Sequence, residues 1–148
     1  MIQIRTEIFE TNSSSVHLLV IPRDGEVHIP KHVHLRGDDY GWERGEYCDT
    51  LSYFYQACKD RGERELKKLF SYLDRKGITY DESTERMDDG YVDHAEEIPF
   101  EELFGNESLL DRFLFSNAFV VTGNDNYTDE CPDSSEYDSD KYIVLTKN

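Results

Sequence analysis

The sequence between residues 9 and 17 reads Phe9-Glu10-Thr11-Asn12-Ser13-Ser14-Ser15-Val16-His17 and lies between two apolar runs, residues 1–9 and 16–21. Both runs are rich in β-branched residues, a composition typical of β-strands. The Asn-Ser-Ser-Ser segment carries short side-chain oxygens that bond to nearby backbone N–H groups, which favours a turn. We therefore expect two strands joined by a tight polar turn, with His17 close to it. This pattern fits a plain hairpin as well as a functional site.

Strand signals occur near both ends of the chain. Residues 2–8 alternate between apolar and polar side chains, whereas residues 16–21 are more continuously apolar and indicate a central strand. Residues 27–35, interrupted by Pro30, predict an edge strand. Residues 78–80, 118–122 and 142–145 predict short strands. Strands at both chain ends around a helical middle favour an α+β fold with a mostly antiparallel sheet, in a single domain over residues 1–148.

Helix signals occupy the middle of the chain. Asp49 and Asn106 are expected to cap helices, and Pro99 to open a short helix that runs to Phe104. Gly62 is expected to break the first helix, and Gly77 to end the second. The apolar spacing is clearest over residues 66–73. The predicted core comprises Ile4, Leu19, Phe54, Leu69, Phe70, Leu73, Leu110, Phe113 and Val120.

Charge is unevenly distributed along the chain, whose net charge is −16. Residues 1–80 hold 13 acids and 12 bases, whereas residues 81–148 hold 19 acids and four bases. Such an acidic half repels phosphates, which excludes nucleic acid as its direct ligand. It favours a basic protein surface instead, because long-range attraction raises the association rate. The alternative is a solvated acidic face without a partner.

The acidic residues cluster in a predicted loop over residues 123–140 and in two glutamate pairs before it. We expect the partner-binding residues to be Asp125, Asp129, Glu130, Asp133, Glu136, Asp138, Asp140, Glu96, Glu97, Glu101 and Glu102. The loop lacks the spacing and central glycine of an EF-hand, so calcium is not expected. No apolar run reaches the ~18 residues of a membrane span, no signal-peptide pattern is present, and the three cysteines have no disulfide spacing. We expect a cytoplasmic protein with reduced thiols.

Three segments carry a resemblance to a known family. Besides residues 9–17, they are Gly90-Tyr91-Val92-Asp93-His94 and Val121-Thr122-Gly123-Asn124-Asp125-Asn126. The chain resembles small proteins of tailed phages and prophages that begin with a short strand followed by Glu-Thr-Asn-Ser-Ser-Ser-x-His. The family has no established activity, so the resemblance implies a setting, phage genes acting in the bacterial cytoplasm, and no mechanism.

The polar turn also offers candidate catalytic residues. A serine nucleophile needs an adjacent base, and that base needs an orienting group. The candidates are Ser13, Ser14, Ser15, His17, Asp93 and His94. No G-x-S-x-G elbow supports them. A structural turn with a hydrogen-bonded histidine, or a contact surface for a partner or small ligand, explains the same residues.

Metal and cofactor signals are sparse. His28, His32 and His34 cluster, and His32-x-His34 places two imidazoles on one strand face, which permits zinc coordination. No C-x-x-C or H-E-x-x-H pattern accompanies them, and surface histidines are the alternative. No Walker or dinucleotide fingerprint is present. We expect neither a metal nor a cofactor.

Size, charge and phage setting together favour a binding protein over an enzyme. The hypothesis is a phage anti-defence inhibitor, similar to anti-CRISPR proteins by analogy alone, whose acidic half binds a basic nucleic-acid-binding surface of a host defence protein. The alternatives are a small enzyme that uses Ser13–Ser15 and His17 with Asp93 and His94, and a zinc-binding phage accessory protein.

Overall fold

The computed structural model describes residues 15–41, 44–83, 90–124 and 131–147. Within these residues the chain is α+β, with strands at both ends and helices in the middle, as predicted. The strands are β1 Ser15–Pro22, β2 His32–Leu35, β3 Asp39–Tyr40, β4 Gly45–Tyr47, β5 Thr79–Glu82, β6 Tyr91–Val92, β7 Phe119–Asn124 and β8 Tyr142–Leu145. The helices are α1 Thr50–Arg61, α2 Glu63–Arg75, α3 Phe100–Phe104 and α4 Glu107–Phe115. The predicted strand over residues 1–9 and residues 12–14 of the turn predicted over 12–15 lie outside the described residues, and Ser15 is the first residue of β1.

The main sheet is antiparallel and has the strand order β4-β7-β1-β8. Strand β1 lies inside it, with Leu19 opposite Val120 on one neighbour and Leu145 on the other. Leu19 and Ile21 belong to the main core, whereas Leu18 and Val20 belong to a smaller cluster on the opposite face. Both faces of β1 are covered, which explains its apolar run over residues 18–21, part of the signal that predicted a central strand.

Two smaller sheets are parallel, which the sequence did not predict. Strand β2 pairs with β5, and β3 pairs with β6. Only residues 32–35 of the expected edge strand over 27–35 form a strand, because β5 offers a partner to that part alone. These sheets extend the fold beyond the main sheet and bring residues near position 35 next to residues near positions 80 and 92.

The helices begin and end at the predicted residues. The carboxylate of Asp49 accepts the backbone N–H of Ser52 at 3.1 Å, and Asn106 caps α4 through the N–H of Leu109 at 3.2 Å. Gly62 separates α1 from α2. Gly77, two residues after the end of α2, has φ +73°, a left-handed conformation in which glycine carries no steric penalty and which stops the helix from continuing. None of the helices in the described ranges has the combination of length and apolarity that a membrane crossing requires.

The predicted core is largely confirmed. Leu19, Phe54, Leu69, Leu73, Leu110, Phe113 and Val120 are buried. Phe70 is only partly buried and stacks on the ring of Tyr80 at 4.8 Å, because it lies at the edge of the core facing β5. Ile4 lies outside the described residues.

The described parts of the predicted acidic loop, residues 123–124 and 131–140, contain regular structure that was not predicted. Strand β7 extends through Asn124, which pairs with Ser15, so Gly123 and Asn124 belong to the sheet. Residues 134–136 form a 3-10 turn with a capping box between Asp133 and Glu136. Asp133 and Glu136 therefore hydrogen-bond to the backbone of their own turn, a role that the composition of the loop did not indicate.

Candidate functional site

His17 lies on β1 and is almost completely buried, with 1% of its surface exposed. Its Nε2 atom is 2.7 Å from the backbone carbonyl oxygen of Asp93, and its Nδ1 atom is 3.0 Å from the hydroxyl of Tyr53 on α1. A carbonyl only accepts, so Nε2 donates and Nδ1 of the neutral ring accepts from Tyr53. Burial lowers the pKa of His17, which agrees with a neutral ring.

The Asp93 carbonyl is held in place by the neighbouring small sheet. Asp93 donates its backbone N–H to the carbonyl of Tyr40 at 2.8 Å, directly after β6. Gly41 has φ +108°, and a Cβ atom there would lie 2.8 Å from the Cβ of Asp93. His94 follows in the left-handed region at φ 54°. A glycine at 41 is therefore required for the close approach that presents Asp93 to His17.

Residues 121–124, from the third of the segments that carry the resemblance, pair with β1 around His17. In the pairing of β1 with β7, Ser15 lies opposite Asn124 and His17 opposite Thr122. Thr122 and Asn124 are buried polar residues. The structure thus brings His17, Asp93 and Thr122 into one region although they are far apart in sequence. We call this region the His17 junction.

Within the junction, the roles open to each candidate differ. Both ring nitrogens of His17 are engaged by described residues, Nε2 by the Asp93 carbonyl and Nδ1 by the Tyr53 hydroxyl. Asp93 meets His17 through its backbone carbonyl. His94 is half-buried, and its Nδ1 atom is 3.3 Å from a carboxylate oxygen of Glu96. Ser13 and Ser14 lie outside the described residues, so the nucleophile hypothesis stays a prediction.

Sequence reasoning missed Tyr53 and the polar contacts that brace the junction. Asp60 on α1 accepts the backbone N–H of Val92, and Gln56 donates to the Gly90 carbonyl at 3.0 Å. Burial raises the pKa of Asp60. Gln56 and Asp60 lie one turn apart on α1, and a polar i, i+4 pair in an otherwise buried helix was the available signal.

The acidic half is partly neutralised by cations from the first half. Arg44 pairs with Glu136 at 3.1 Å, Arg75 with Glu107 at 3.0 Å, and Lys76 with Asp111 at 2.8 Å. Two hydrogen bonds lower the pKa of Glu136: the larger effect comes from the backbone N–H of Asp133 and the smaller one from Arg44. Glu136, an expected partner-binding residue, is therefore also used within the fold.

The other expected partner-binding residues occupy different surroundings. Glu102, Asp133, Asp138 and Asp140 are exposed, whereas Glu97 is half-buried. Glu96 pairs with His94. Glu101 lines an open groove of about 550 Å³ together with the α2 cations Arg64, Lys67, Lys68 and Arg75. Asp125, Asp129 and Glu130 lie outside the described residues.

The histidine cluster is rearranged relative to the prediction. His32 and His34 both contact the carboxylate of Asp81 on β5, each at 2.8 Å. His28 is separate and contacts Glu26 at 3.3 Å, because it precedes the strand that carries the other two. The cysteines are free thiols, and burial raises the pKa of Cys58.

Comparison with known proteins does not add to this description. No protein-family model matches the chain. Searches of curated proteins and of solved structures likewise find no significant match.

Proposed function

We propose that this protein is a phage anti-defence inhibitor that acts in the bacterial cytoplasm and binds a basic nucleic-acid-binding surface of a host defence protein through its acidic half. One observation carries the proposal: negative charge remains in excess after the fold has formed its ion pairs. Residues 81–148 hold 19 acids against four bases. Among the described residues, three cations of the first half pair with acids of residues 81–148: Arg44, Arg75 and Lys76.

Several exposed carboxylates of the acidic half carry the remaining negative charge. Glu102, Asp133, Asp138 and Asp140 are solvent-exposed and form no ion pair with a Lys or Arg of the described residues. Exposed charges of one sign that form no ion pair create a field that attracts a basic surface and speeds association. The half-buried rings of Tyr137 and Tyr142 lie in the same part of the chain and offer contact area.

The experiment compares two variants with the same change in net charge. The docking variant carries Glu102→Gln, Asp133→Asn, Asp138→Asn and Asp140→Asn; asparagine still serves as a helix or turn cap at 133 and 138. The control variant carries Asp24→Asn, Glu26→Gln, Glu63→Gln and Asp74→Asn, which are exposed acids of the first half. Far-UV circular dichroism checks that both fold.

The proteins are tested against purified nucleic-acid-guided defence nucleases, with association measured at low and high salt and in the presence of competing DNA. Phage plaque counts on bacteria that carry the same defence system report protection. We expect the docking variant to associate more slowly and to protect less, and the control to behave like wild type. Equal loss of association and protection in both variants would show that only the overall net charge matters. No loss in either variant would show that the four carboxylates of the docking variant are not the binding site.

The small enzyme is the second candidate, because the fold places Asp93 next to His17, although the contact is to the Asp93 backbone carbonyl and both ring nitrogens of His17 are engaged. The junction brings together Asp93 and His17, which were expected to act with the serines. Ser13→Ala and Ser14→Ala in the plaque assay separate the two hypotheses. If protection is lost while partner association and stability are unchanged, the enzyme replaces the inhibitor.

A further inference from the structure

Two histidines and one carboxylate converge on one face of the small sheet formed by β2 and β5. His32 and His34 are two residues apart on β2, so their side chains share a face. The parallel register places Thr79 opposite His32 and Asp81 opposite His34. One ligand atom of each of His32, His34 and Asp81 lies within 4.8 Å of the others. The three side chains are 43%, 73% and 53% exposed, respectively, so solvent ions reach them.

The hydrogen bonds around His32 determine which of its nitrogens carries a proton. Its Nδ1 atom is 2.6 Å from the hydroxyl oxygen of Thr79, and that hydroxyl donates to the backbone carbonyl of Lys31 at 3.2 Å. Since the hydroxyl proton is directed to Lys31, the Thr79 oxygen accepts from Nδ1–H of His32. The lone pair of a neutral His32 is therefore on Nε2, which faces a carboxylate oxygen of Asp81 at 2.8 Å.

A lone pair and a carboxylate oxygen do not attract each other unless a proton or a cation lies between them. The other Asp81 oxygen faces Nδ1 of His34 at 2.8 Å. A divalent cation satisfies all three groups together, and the Thr79 contact then corresponds to the second hydrogen bond that orients most metal-binding histidines.

We propose that His32, His34 and Asp81 form a Zn²⁺ site, with Thr79 as the residue that orients His32. Imidazole nitrogens and a carboxylate oxygen are a ligand set that zinc accepts, and three protein ligands leave the fourth position to water. Tetrahedral zinc with bonds of roughly 2.0–2.1 Å separates its ligand atoms by about 3.4 Å. The 2.8 Å contacts to the two Asp81 oxygens are shorter than this spacing, and the 4.8 Å limit of the cluster is longer. The exposed side chains therefore rotate on binding until one Asp81 oxygen and both imidazoles surround the ion. The net charge of −16 further attracts cations.

The test is a zinc titration of the whole chain against a chromophoric chelator, with metal content measured after gel filtration. Cobalt replaces zinc in a parallel experiment, because its visible spectrum reports coordination number and reveals thiolate ligands. The variants are His34→Ala, Asp81→Asn and Thr79→Val, all at exposed positions. The matched control is His28→Ala, which removes a histidine whose side chain is 77% exposed and lies outside the cluster.

We expect one zinc per wild-type chain, loss of that zinc in His34→Ala and Asp81→Asn, and an affinity lower by about tenfold in Thr79→Val. His28→Ala should bind as wild type does. The proposal is overturned if the wild type binds no zinc, or if His28→Ala weakens binding as much as His34→Ala. Thiolate bands in the cobalt spectrum, or loss of binding when the cysteines are alkylated, would assign the metal to the cysteines instead.

Discussion

The pH dependence of folding stability should reveal the buried, neutral state of His17. The ring is closed off from solvent, donates through Nε2 to the Asp93 carbonyl and accepts through Nδ1 from Tyr53. A proton added at Nδ1 would leave the Tyr53 hydroxyl without its acceptor and place a charge in the core. The folded chain therefore resists protonation of His17, whereas the unfolded chain does not.

The direction of this pKa shift gives the sign of the pH dependence, and proton linkage gives the upper limit of its size. Burial lowers the pKa of His17 below its ordinary value of 6.5, so the unfolded chain binds this proton more readily. Stability from His17 is thus complete above that ordinary value and is lost as the pH falls below it, at up to about 1.4 kcal/mol per pH unit. Between about pH 7.5 and about pH 5.5 the loss is about 1.4 kcal/mol, as long as the folded ring stays neutral.

The assay is urea denaturation of the wild type and of His17→Gln over this pH range, in buffer with a chelator so that metal binding does not contribute. Other titrating groups are shared by the two proteins, so the difference between their unfolding free energies isolates His17. We expect this difference to shrink as the pH falls. Tyr53→Phe removes the donor to Nδ1 and should cost about 1–3 kcal/mol.

A direct measurement on the wild-type protein tests the same arrangement even if His17→Gln does not fold. The ring nitrogens of His17 are followed by NMR as the pH is lowered. We expect a neutral ring protonated on Nε2 and a midpoint below the ordinary histidine value. A midpoint at or above that value, or a proton on Nδ1 at neutral pH, would refute the buried donor–acceptor arrangement.

Three further predictions concern stability and are checked by denaturant titration. Leu69→Ala removes a fully buried side chain of α2 and should cost about 2–5 kcal/mol, whereas the exposed Lys67→Ala on the same helix should change stability by less than about 0.5 kcal/mol; similar values would show that Leu69 is not in the core. Asp49→Ala removes the cap of α1 and should cost about 1 kcal/mol, with Asp49→Asn close to wild type. Gly41→Ala forces a side chain into a left-handed conformation against Asp93 and should cost about 1–3 kcal/mol while shifting the His17 NMR signals; an unshifted spectrum would separate Gly41 from the His17 junction.

Local sequence signals were sufficient for the helices and for the central strand. The caps Asp49 and Asn106 act on N–H groups three residues later, and Gly77 ends a helix through its own backbone conformation. The apolar run of β1 reflects burial on both faces of the same strand. Each of these signals depends on neighbours a few residues away, so the sequence displays it directly.

The candidate sites were predicted only in part. His17 and Asp93 were identified as a possible pair, but the contact uses the Asp93 backbone, which no side-chain pattern indicates. His32 and His34 were visible as a strand pair, whereas Asp81 joins them through a parallel strand pairing that was not predicted. The long acidic loop was read from composition, and composition does not show which carboxylates cap a turn or pair with a distant arginine.

What the sequence by itself determined was the α+β class, the helix boundaries, the central strand and the concentration of negative charge in the second half. Tertiary structure alone decided that Tyr53 contacts His17 across 36 residues, that Asp93 does so across 76, and that Asp81 contacts His34 across 47. The physical reason is range. Caps, turns and apolar periodicity act between residues that the chain already holds close together. Contacts between distant residues depend on which strands pair and in which direction, and that is settled by the free energy of packing the whole core.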